Sequence, residues 1–487
     1  MTNLCLINVI DQNSKIERHM PHLGLGYIAA YLRKYSNINK IEIIDDDIWE
    51  KLRLNKPDII GITSVSQNFN RATSLAENIK SEFGIPIIVG GIHISALPHT
   101  LPTCFDVAVI GEGEHTMLEL LELYEKKGLD KNKLKNINGI AFHNNNKIEI
   151  TEKRGLIDPL DNIPFPARDL LNIETHTSMI TSRGCPYHCV FCCSSAYWRK
   201  TRFFSADYVV SEIKELVEKY NVTMIDLWDD LFIADKKRLE RISNLLKEEG
   251  ITDKVNFNCQ ARANLINDET LKYLKNMNVN QLSFGFESGS QRILDYLKKN
   301  SVTVEQNRNA VFLSKKAGFI VNGSFIIGSP DETKDDIKNS LKFLKNTPLD
   351  SGSIFQLIPY PGTELWEYAN ELGIVNDRMD WNKLNQNCKI VEDFKFTKLK
   401  TKDNYIYLNK TISLEDFCEF YLDFQKEFEN REVALQIKQF SDIVYKTHDK
   451  VVNSEKQILK DEIEIIKLLK FMEEIKNSKV YNLICKF

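Results

Sequence analysis

Apolar and polar positions alternate along the chain in two registers, short apolar runs and longer amphipathic stretches. Leu4 to Val9 reads as a buried strand, and Leu23 to Lys34 places Leu23, Tyr27, Ala30 and Tyr31 on one helical face. Further strands are predicted at Ile41–Ile44, Asp58–Val65, Ile85–Val89 and Val107–Ile110, with helices from about Asn70 to Phe83 and from about Thr116 onward. Repeated strand–helix units imply a parallel, doubly wound (Rossmann-like) sheet, with its ligand edge at the C-terminal ends of the strands. The pattern then changes. Ile140–Phe142 and Lys147–Ile150 flank His143-Asn144-Asn145-Asn146 and predict a small hairpin, and Asn162-Ile163-Pro164-Phe165-Pro166 reads as an extended linker.

From Ser178 the alternation resumes, with strands at 178–183, 223–229, 255–259, 281–286, 320–327 and 353–358. Helices are predicted between them near 206–220, 235–249, 268–277, 290–297, 304–317 and 332–346. Six units suit a partial (β/α)6 barrel of the TIM type, because a complete one needs eight. Beyond 376 the chain is helical and charged, and 457–477 carries an amphipathic stripe. The predicted class is α/β, divided as 1–136 first sheet domain, 137–172 hairpin and linker, 173–375 barrel and 376–487 helical region.

Composition narrows the function classes. The 487 residues are 43% hydrophobic and 27% charged, with a net charge of -4 and a pI of about 6.2. There is no polybasic footprint for nucleic acid, and no run approaches the ~20 apolar residues of a membrane span. The opening MTNLCLINVIDQN turns polar too soon for a signal peptide, so a cytoplasmic location is expected. Of ten cysteines, four (Cys185, Cys189, Cys192 and Cys193) fall within nine residues, which points to a metal site in a reducing compartment.

The segment Arg183-Gly184-Cys185-Pro186-Tyr187-His188-Cys189-Val190-Phe191-Cys192 has the spacing C-x3-C-x2-C. Four cysteines around a [4Fe–4S] cubane make an electron carrier, whereas three leave one iron open to a ligand. Zinc is the competing occupant, but structural zinc sites complete a tetrahedron with paired knuckles, and no second knuckle appears here; only Cys193 and His188 are near. A noncatalytic metal-binding regulatory protein is the corresponding alternative from another functional class.

The motif, with Phe191 before its last cysteine, resembles the signature of the radical S-adenosylmethionine superfamily. The wider pattern resembles the branch with an N-terminal cobalamin (B12)-binding domain. Similar stretches run from residue 21 to about 366. They include Leu23-Gly24-Leu25-Gly26-Tyr27, Val89-Gly90-Gly91-Ile92-His93, Gly111-Glu112-Gly113-Glu114, Asp229-Asp230-Leu231-Phe232, Cys259-Gln260-Ala261-Arg262, Gly285-Phe286-Glu287-Ser288-Gly289, Ile327-Gly328-Ser329-Pro330 and Pro359-Tyr360-Pro361-Gly362-Thr363. The resemblance implies that Cys185, Cys189 and Cys192 hold the cluster and that its open iron chelates S-adenosylmethionine. Reductive cleavage would then give a 5′-deoxyadenosyl radical. It implies that Phe191, Asp229 or Asp230, Arg262 and Glu287 contact this cofactor, and that Ile327 and Leu357 pack its adenine. Taken alone, Arg262 and Glu287 read as ion-pair members, and Ile327 and Leu357 as barrel core.

For cobalamin the resemblance implies Leu23, Gly24, Ser64, Ser66, Gly90, Gly91, His93, Gly111, Glu112, Gly113 and Glu114. Glycines at strand ends let backbone amides approach a flat cofactor, Ser64 and Ser66 could donate to its amides or tail, and His93 reads as a polar rim residue. His22 reads as surface or loop. The Asp-x-His-x-x-Gly motif of many cobalamin domains is missing, since the first loop reads Asp11-Gln12-Asn13-Ser14, so histidine ligation of cobalt is not expected. The implied activity is C-methylation of an unactivated carbon in a small-molecule, peptide or lipid precursor, with a flavodoxin- or ferredoxin-type electron donor. Cobalamin-dependent cyclisation or rearrangement is the alternative within the family.

Overall fold

The computed structural model describes residues 2–10, 20–198, 200–385, 388–396, 399–400 and 402–453, with isolated positions beyond. The first sheet contains β1 (Asn3–Asn8), β2 (Lys40–Ile44), β3 (Ile59–Thr63), β4 (Ile87–Gly90), β5 (Val107–Val109), β6 (Ile140–Asn144) and β7 (Lys147–Ile150). They lie in the order β2-β1-β3-β4-β5-β6-β7. Strands β1 to β5 are parallel, and β6 pairs antiparallel with β5, then β7 with β6. The hairpin expected between the domains is therefore the edge of the first sheet. One face is covered by α1 (Leu23–Tyr35) and α5 (Gly113–Lys127) through Leu25, Ala29, Leu32, Met117, Leu120 and Leu121. The other face is covered by α3 (Phe69–Phe83) and the short α4 (Ile92–Ala96). A helix that the sequence did not reveal, α2 (Ile48–Asn55), follows the three aspartates after β2; only Leu52 in it is buried, which leaves almost no apolar stripe to read.

Six parallel strands build the second sheet: β8 (His176–Met179), β11 (Met224–Leu227), β12 (Asn256–Ala261), β13 (Val279–Glu287), β14 (Ile320–Ile327) and β15 (Ser351–Gln356). Their order is β15-β14-β13-β12-β11-β8, the expected half-barrel. Period-two alternation sets its two faces. Phe257, Cys259, Leu282, Phe284, Val321 and Phe325 are buried in the outer hydrophobic layer, and the alternate positions Asn258, Ser283, Asn322 and Ser324 are only partly covered. A two-stranded ribbon, β9 (Ser182–Arg183) with β10 (Arg202–Phe203), follows β8 and brackets the cysteine segment.

The C-terminal region docks. Tyr421 in the long helix Leu414–Asn453 donates to the Ile354 carbonyl at 3.0 Å, and Phe424 and Phe428 pack on Phe325. Upstream, Trp381 lies with its ring 4.4 Å from that of His93, so this region also touches the first domain. The amphipathic stripe at 457–477 and the loop Asp11–Ser14 lie outside the described residues.

Candidate active site

The cysteine loop leaves the barrel immediately after β9. Cys185, Cys189 and Cys192 are half-buried, and His188 is exposed. Between them, Val190 is buried, donating from its amide to Leu297 at 3.1 Å and accepting from Leu365 at 3.1 Å, so the middle of the loop is pinned to two barrel elements. Tyr187 is pinned as well. The Arg262 guanidinium lies 3.7 Å from the centre of its ring, and Asn264 donates to its hydroxyl at 2.9 Å. Arg262 also approaches the Cys189 sulfur at 3.8 Å and donates to Ser301.

Burial pushes the Cys185 thiol up and the Cys192 thiol up to about 11. The backbone amides of Tyr187 and Ser194 oppose this by bonding to the two sulfurs. Thiols held this way ionise on binding a cation, and donors already aimed at the sulfurs favour that step. Among the described residues, no group of three or more His, Cys, Asp or Glu side chains converges tightly enough to hold a single ion. Zinc would need its sulfurs about 2.3 Å from one centre. Thiols spaced around a loop suit a cubane, whose irons occupy separate corners.

The two adjacent aspartates separate cleanly. Asp229 is 2% exposed and accepts from the Thr181 amide (2.9 Å), the Thr181 hydroxyl (2.9 Å) and the Ser182 hydroxyl. Burial raises its carboxyl, and it offers nothing to a ligand. Asp230 is exposed, accepts from Ser194 at 2.5 Å and from the Gly184 amide, and acts electrostatically on Cys185 and Cys192. Asp230, and not Asp229, faces the cysteine loop. Glu287 sits at φ +62°, a backbone conformation costly for a residue with a Cβ, and pairs with buried Lys298 at 2.8 Å, as its ion-pair reading required.

The two residues expected at the adenine are both buried. Ile327 is fully buried and Leu357 2% exposed, so neither presents surface to a ligand. Alternation puts Ile326, its neighbour, in the cluster that contains Val190, Leu297 and Leu365, while Ile327 packs in the separate cluster that holds Phe417. Phe191 is half-buried against that first cluster.

A cavity of about 240 Å³ opens at the C-terminal ends of the first sheet. Gly24, Gly90, Gly91, Gly111, Glu112, Gly113 and Glu114, all among the cobalamin candidates, line it, with Leu6, Gly61, Ile88 and Met117 giving it an apolar floor. The cradle requires glycine at position 91, where φ is +108° and a Cβ would overlap the Ser64 carbonyl oxygen. Small-molecule sites run to about 300–1,000 Å³. A 240 Å³ cavity therefore fits one end of a large cofactor, such as an aromatic tail, with the remainder over the glycine loops. His22, Tyr27, Arg183, Tyr197 and Trp198 complete the wall, and sequence reasoning had assigned none of them to it.

Four cobalamin candidates lie elsewhere. Leu23 is packed in the core that continues into the barrel, and the Ser64 hydroxyl bonds to the next carbonyl at 3.0 Å. Ser66 is 3.2 Å from the His93 ring, and His93 is fully buried between Phe69 and Trp381 instead of lying on a rim; burial lowers its pKa to about 3. His22 accepts from the Leu25 amide on Nδ1 at 3.1 Å, which places its proton on Nε2 and leaves no free lone pair for a metal.

Glu112 and Glu114 do more than line the cavity. Arg183 donates to Glu112 at 2.5 Å and to Glu114 at 2.5 Å, and Arg202 reaches Glu112 at 3.0 Å. All four side chains are at most 5% exposed, so this is a buried junction between the domains. The only sequence signal was the position of Arg183 within the cysteine segment.

Comparisons with known proteins fall on the same two units. The sequence model of the Radical SAM superfamily matches residues 179–344, and that of the B12 binding domain matches residues 13–121. An uncharacterized methyltransferase of Pyrococcus horikoshii is 34% identical over 382 residues, covering 74% of this chain and 81% of that protein. The anaerobic magnesium-protoporphyrin IX monomethyl ester cyclase of Rubrivivax gelatinosus is 28% identical over 406 residues, covering 78% and 71%. The structure of the cobalamin-dependent S-adenosylmethionine radical enzyme OxsB superposes with a TM-score of 0.67 at 19% identity, covering 98% of this chain and 81% of that one, a likeness of fold.

Proposed function

Since the chain belongs to the radical S-adenosylmethionine superfamily, in the branch with a B12-binding domain, we propose that it methylates an unactivated carbon of a small molecule or peptide. One observation carries the reading: the glycine-walled cavity of the first domain and the three-cysteine loop of the second share a wall, through Arg183, Tyr197 and Trp198. When bound, the cluster supplies the electron that cleaves S-adenosylmethionine and cobalamin supplies a methyl carrier. The chain's own residues do the rest. Arg262, Asn264 and Val190 hold the cysteine loop still, Asp230 offers a carboxylate beside it, and the glycine loops exclude water from one side of the carrier. A low-potential flavodoxin- or ferredoxin-type protein is the electron donor in this reading.

A second cavity, of about 520 Å³, lies within the range of small-molecule sites and shares Gly111 and Tyr197 with the first. We assign the substrate to it. Ile92, Ala96, Ile110, Ile150 and Leu156 make it largely apolar, and it reaches Cys193 beside the last cluster cysteine.

The test is anaerobic turnover of the reconstituted enzyme with methyl-labelled S-adenosylmethionine and candidate metabolite fractions. Label in a carbon-bound methyl group, with both 5′-deoxyadenosine and S-adenosylhomocysteine formed, supports methylation. 5′-Deoxyadenosine with a new product and no S-adenosylhomocysteine favours cyclisation, the activity named for the Rubrivivax gelatinosus relative.

A further inference from the structure

Both ends of the cysteine loop are fastened to one loop of the other domain. Upstream, Arg183 precedes Cys185 by two residues, and its two terminal nitrogens donate to Glu112 and Glu114. Downstream, Tyr197 follows Cys192 by five residues and donates from its hydroxyl to the Gly111 carbonyl at 2.8 Å. Neither anchor has slack. Gly184, between Arg183 and Cys185, holds φ +93°, and a Cβ there would lie 2.8 Å from the Lys200 carbonyl oxygen. Tyr197 sits on the helix Cys193–Trp198, which starts directly after Cys192 and rises about 1.5 Å per residue.

The segment they grip, Gly111 to Glu114, runs from the loop after β5 into the first turn of α5 and forms part of the wall of the 240 Å³ cavity, together with Arg183 and Tyr197 themselves. Arg202 braces the same carboxylate from the ribbon strand paired with that of Arg183, and the Ile157 amide donates to Glu112 at 2.7 Å. Buried pairs of this kind fix geometry more than they add stability, and the planar guanidinium sets orientation as well as distance. A ligand that orders the Gly111–Glu114 loop therefore orders both anchors of the cysteine loop.

We propose that this loop, through Arg183 and Tyr197, couples the two cofactor sites, so that loading either one strengthens the other. Arg183 and Tyr197 are positioning residues and carry no reacting atom. The inference rests on the assignment of the cavity to cobalamin. Coupling between binding sites is reciprocal, and typical factors run from about 5 to 150.

The test uses the full-length protein and hydroxocobalamin as the probe. Its dissociation constant is measured anaerobically by absorbance on cluster-loaded protein and on the same protein after iron removal, with iron and sulfide assayed in each state. In the wild type the loaded state binds at least about fivefold more tightly, and hydroxocobalamin slows iron release to a chelator. Arg183→Lys, which keeps the charge and loses the fork, brings the ratio of the two constants close to one. Tyr197→Phe, which removes a single hydrogen bond, lowers the ratio while both states still bind; it carries the test should Arg183→Lys fail to fold. Equal constants in the two wild-type states, or an unchanged ratio in both variants, overturn the coupling. A wild type that binds no hydroxocobalamin in either state overturns the cobalamin assignment itself and the coupling with it.

Discussion

Asp229→Asn and Asp230→Asn, substitutions of neighbouring residues with the same chemistry, are expected to fail in different ways. Asp229 is buried and receives three hydrogen bonds that tie the end of β11 to Thr181 and to Ser182 of the ribbon. An amide in its place keeps the oxygen that takes the Thr181 amide and the Ser182 hydroxyl, without its charge, and turns its donor end toward the Thr181 hydroxyl. Hydrogen bonds to a charged group contribute about 1.5–3 kcal/mol each, and a buried group left without its partner costs a further ~1–3 kcal/mol. Loss of one such bond, with the other two weakened to neutral strength, amounts to roughly 2–4 kcal/mol, a large part of the ~5–15 kcal/mol that holds a domain together. Asp230 is exposed and bonds to Ser194 and the Gly184 amide, so its substitution costs about 1 kcal/mol or less. The assay is thermal melting of the metal-free proteins, with iron, sulfide and S-adenosylmethionine binding measured after reconstitution. Asp229→Asn should melt many degrees lower, whereas Asp230→Asn should melt like the wild type and lose S-adenosylmethionine binding. Asp229→Asn with a normal melt and defective cofactor binding would refute the assignment.

Three further outcomes follow from single side chains. Glu332 is fully buried with its carboxyl pushed up to about 8 by desolvation, so the folded state holds a proton that the unfolded state has released between about pH 4.5 and 8; stability from this group is full at low pH and falls as pH rises through that window. Melting midpoints at pH 6 and pH 9 should therefore diverge more in the wild type than in Glu332→Gln, and an equal pH slope would count against the buried carboxyl as its source. Gly91→Ala forces a Cβ onto the Ser64 carbonyl at a left-handed φ, and should lower both the melting midpoint and the cobalamin retained on gel filtration; retention equal to wild type would show that the cradle is not the cofactor's. His93→Phe keeps ring packing against Phe69 and Trp381 and removes a buried Nε2 that has no partner among the described residues, so hydroxocobalamin affinity should not change; a several-fold loss would return His93 to the site.

Local pattern and capping made much of the fold legible. The pattern predicts a helix near 206–220 and the structure bounds it at Ala206 and Tyr220, because it ends at Asn221 in a left-handed cap and starts after Ser205, whose side chain accepts from the Tyr208 amide. The strand Ile320–Ile327 was equally plain. Long-range pairing was not legible. β6 and β7 look like an isolated hairpin until β5 is known to be their neighbour. Adjacent candidates stay open for a related reason: successive residues of an extended segment point to opposite faces, so telling Asp229 from Asp230 needs the surrounding structure, which the sequence run itself does not contain. The chemistry of Glu112 was hidden differently. A glutamate in a glycine-rich loop reads as a cofactor contact, and its arginine partners lie 71 and 90 residues away.

The domain junction divides its work between two kinds of contact. On one side Val190, Leu297, Leu357 and Trp366 join Val9, Ile62, Phe69 and Val89 in one buried apolar cluster, which supplies cohesion without fixing direction. On the other, the Arg183 fork and the Tyr197 hydroxyl supply direction, because each bond fails if the partner shifts by an ångström. Domains joined by small polar surfaces rock against each other by default. Here Val190, between Cys189 and Cys192, sits in the shared apolar core while the residues flanking the loop are hydrogen-bonded across the boundary, so a rocking motion would have to drag the cysteines with it. The arrangement therefore favours small, concerted changes at the Gly111–Glu114 loop over separation of the domains as the way the two cofactor sites sense each other.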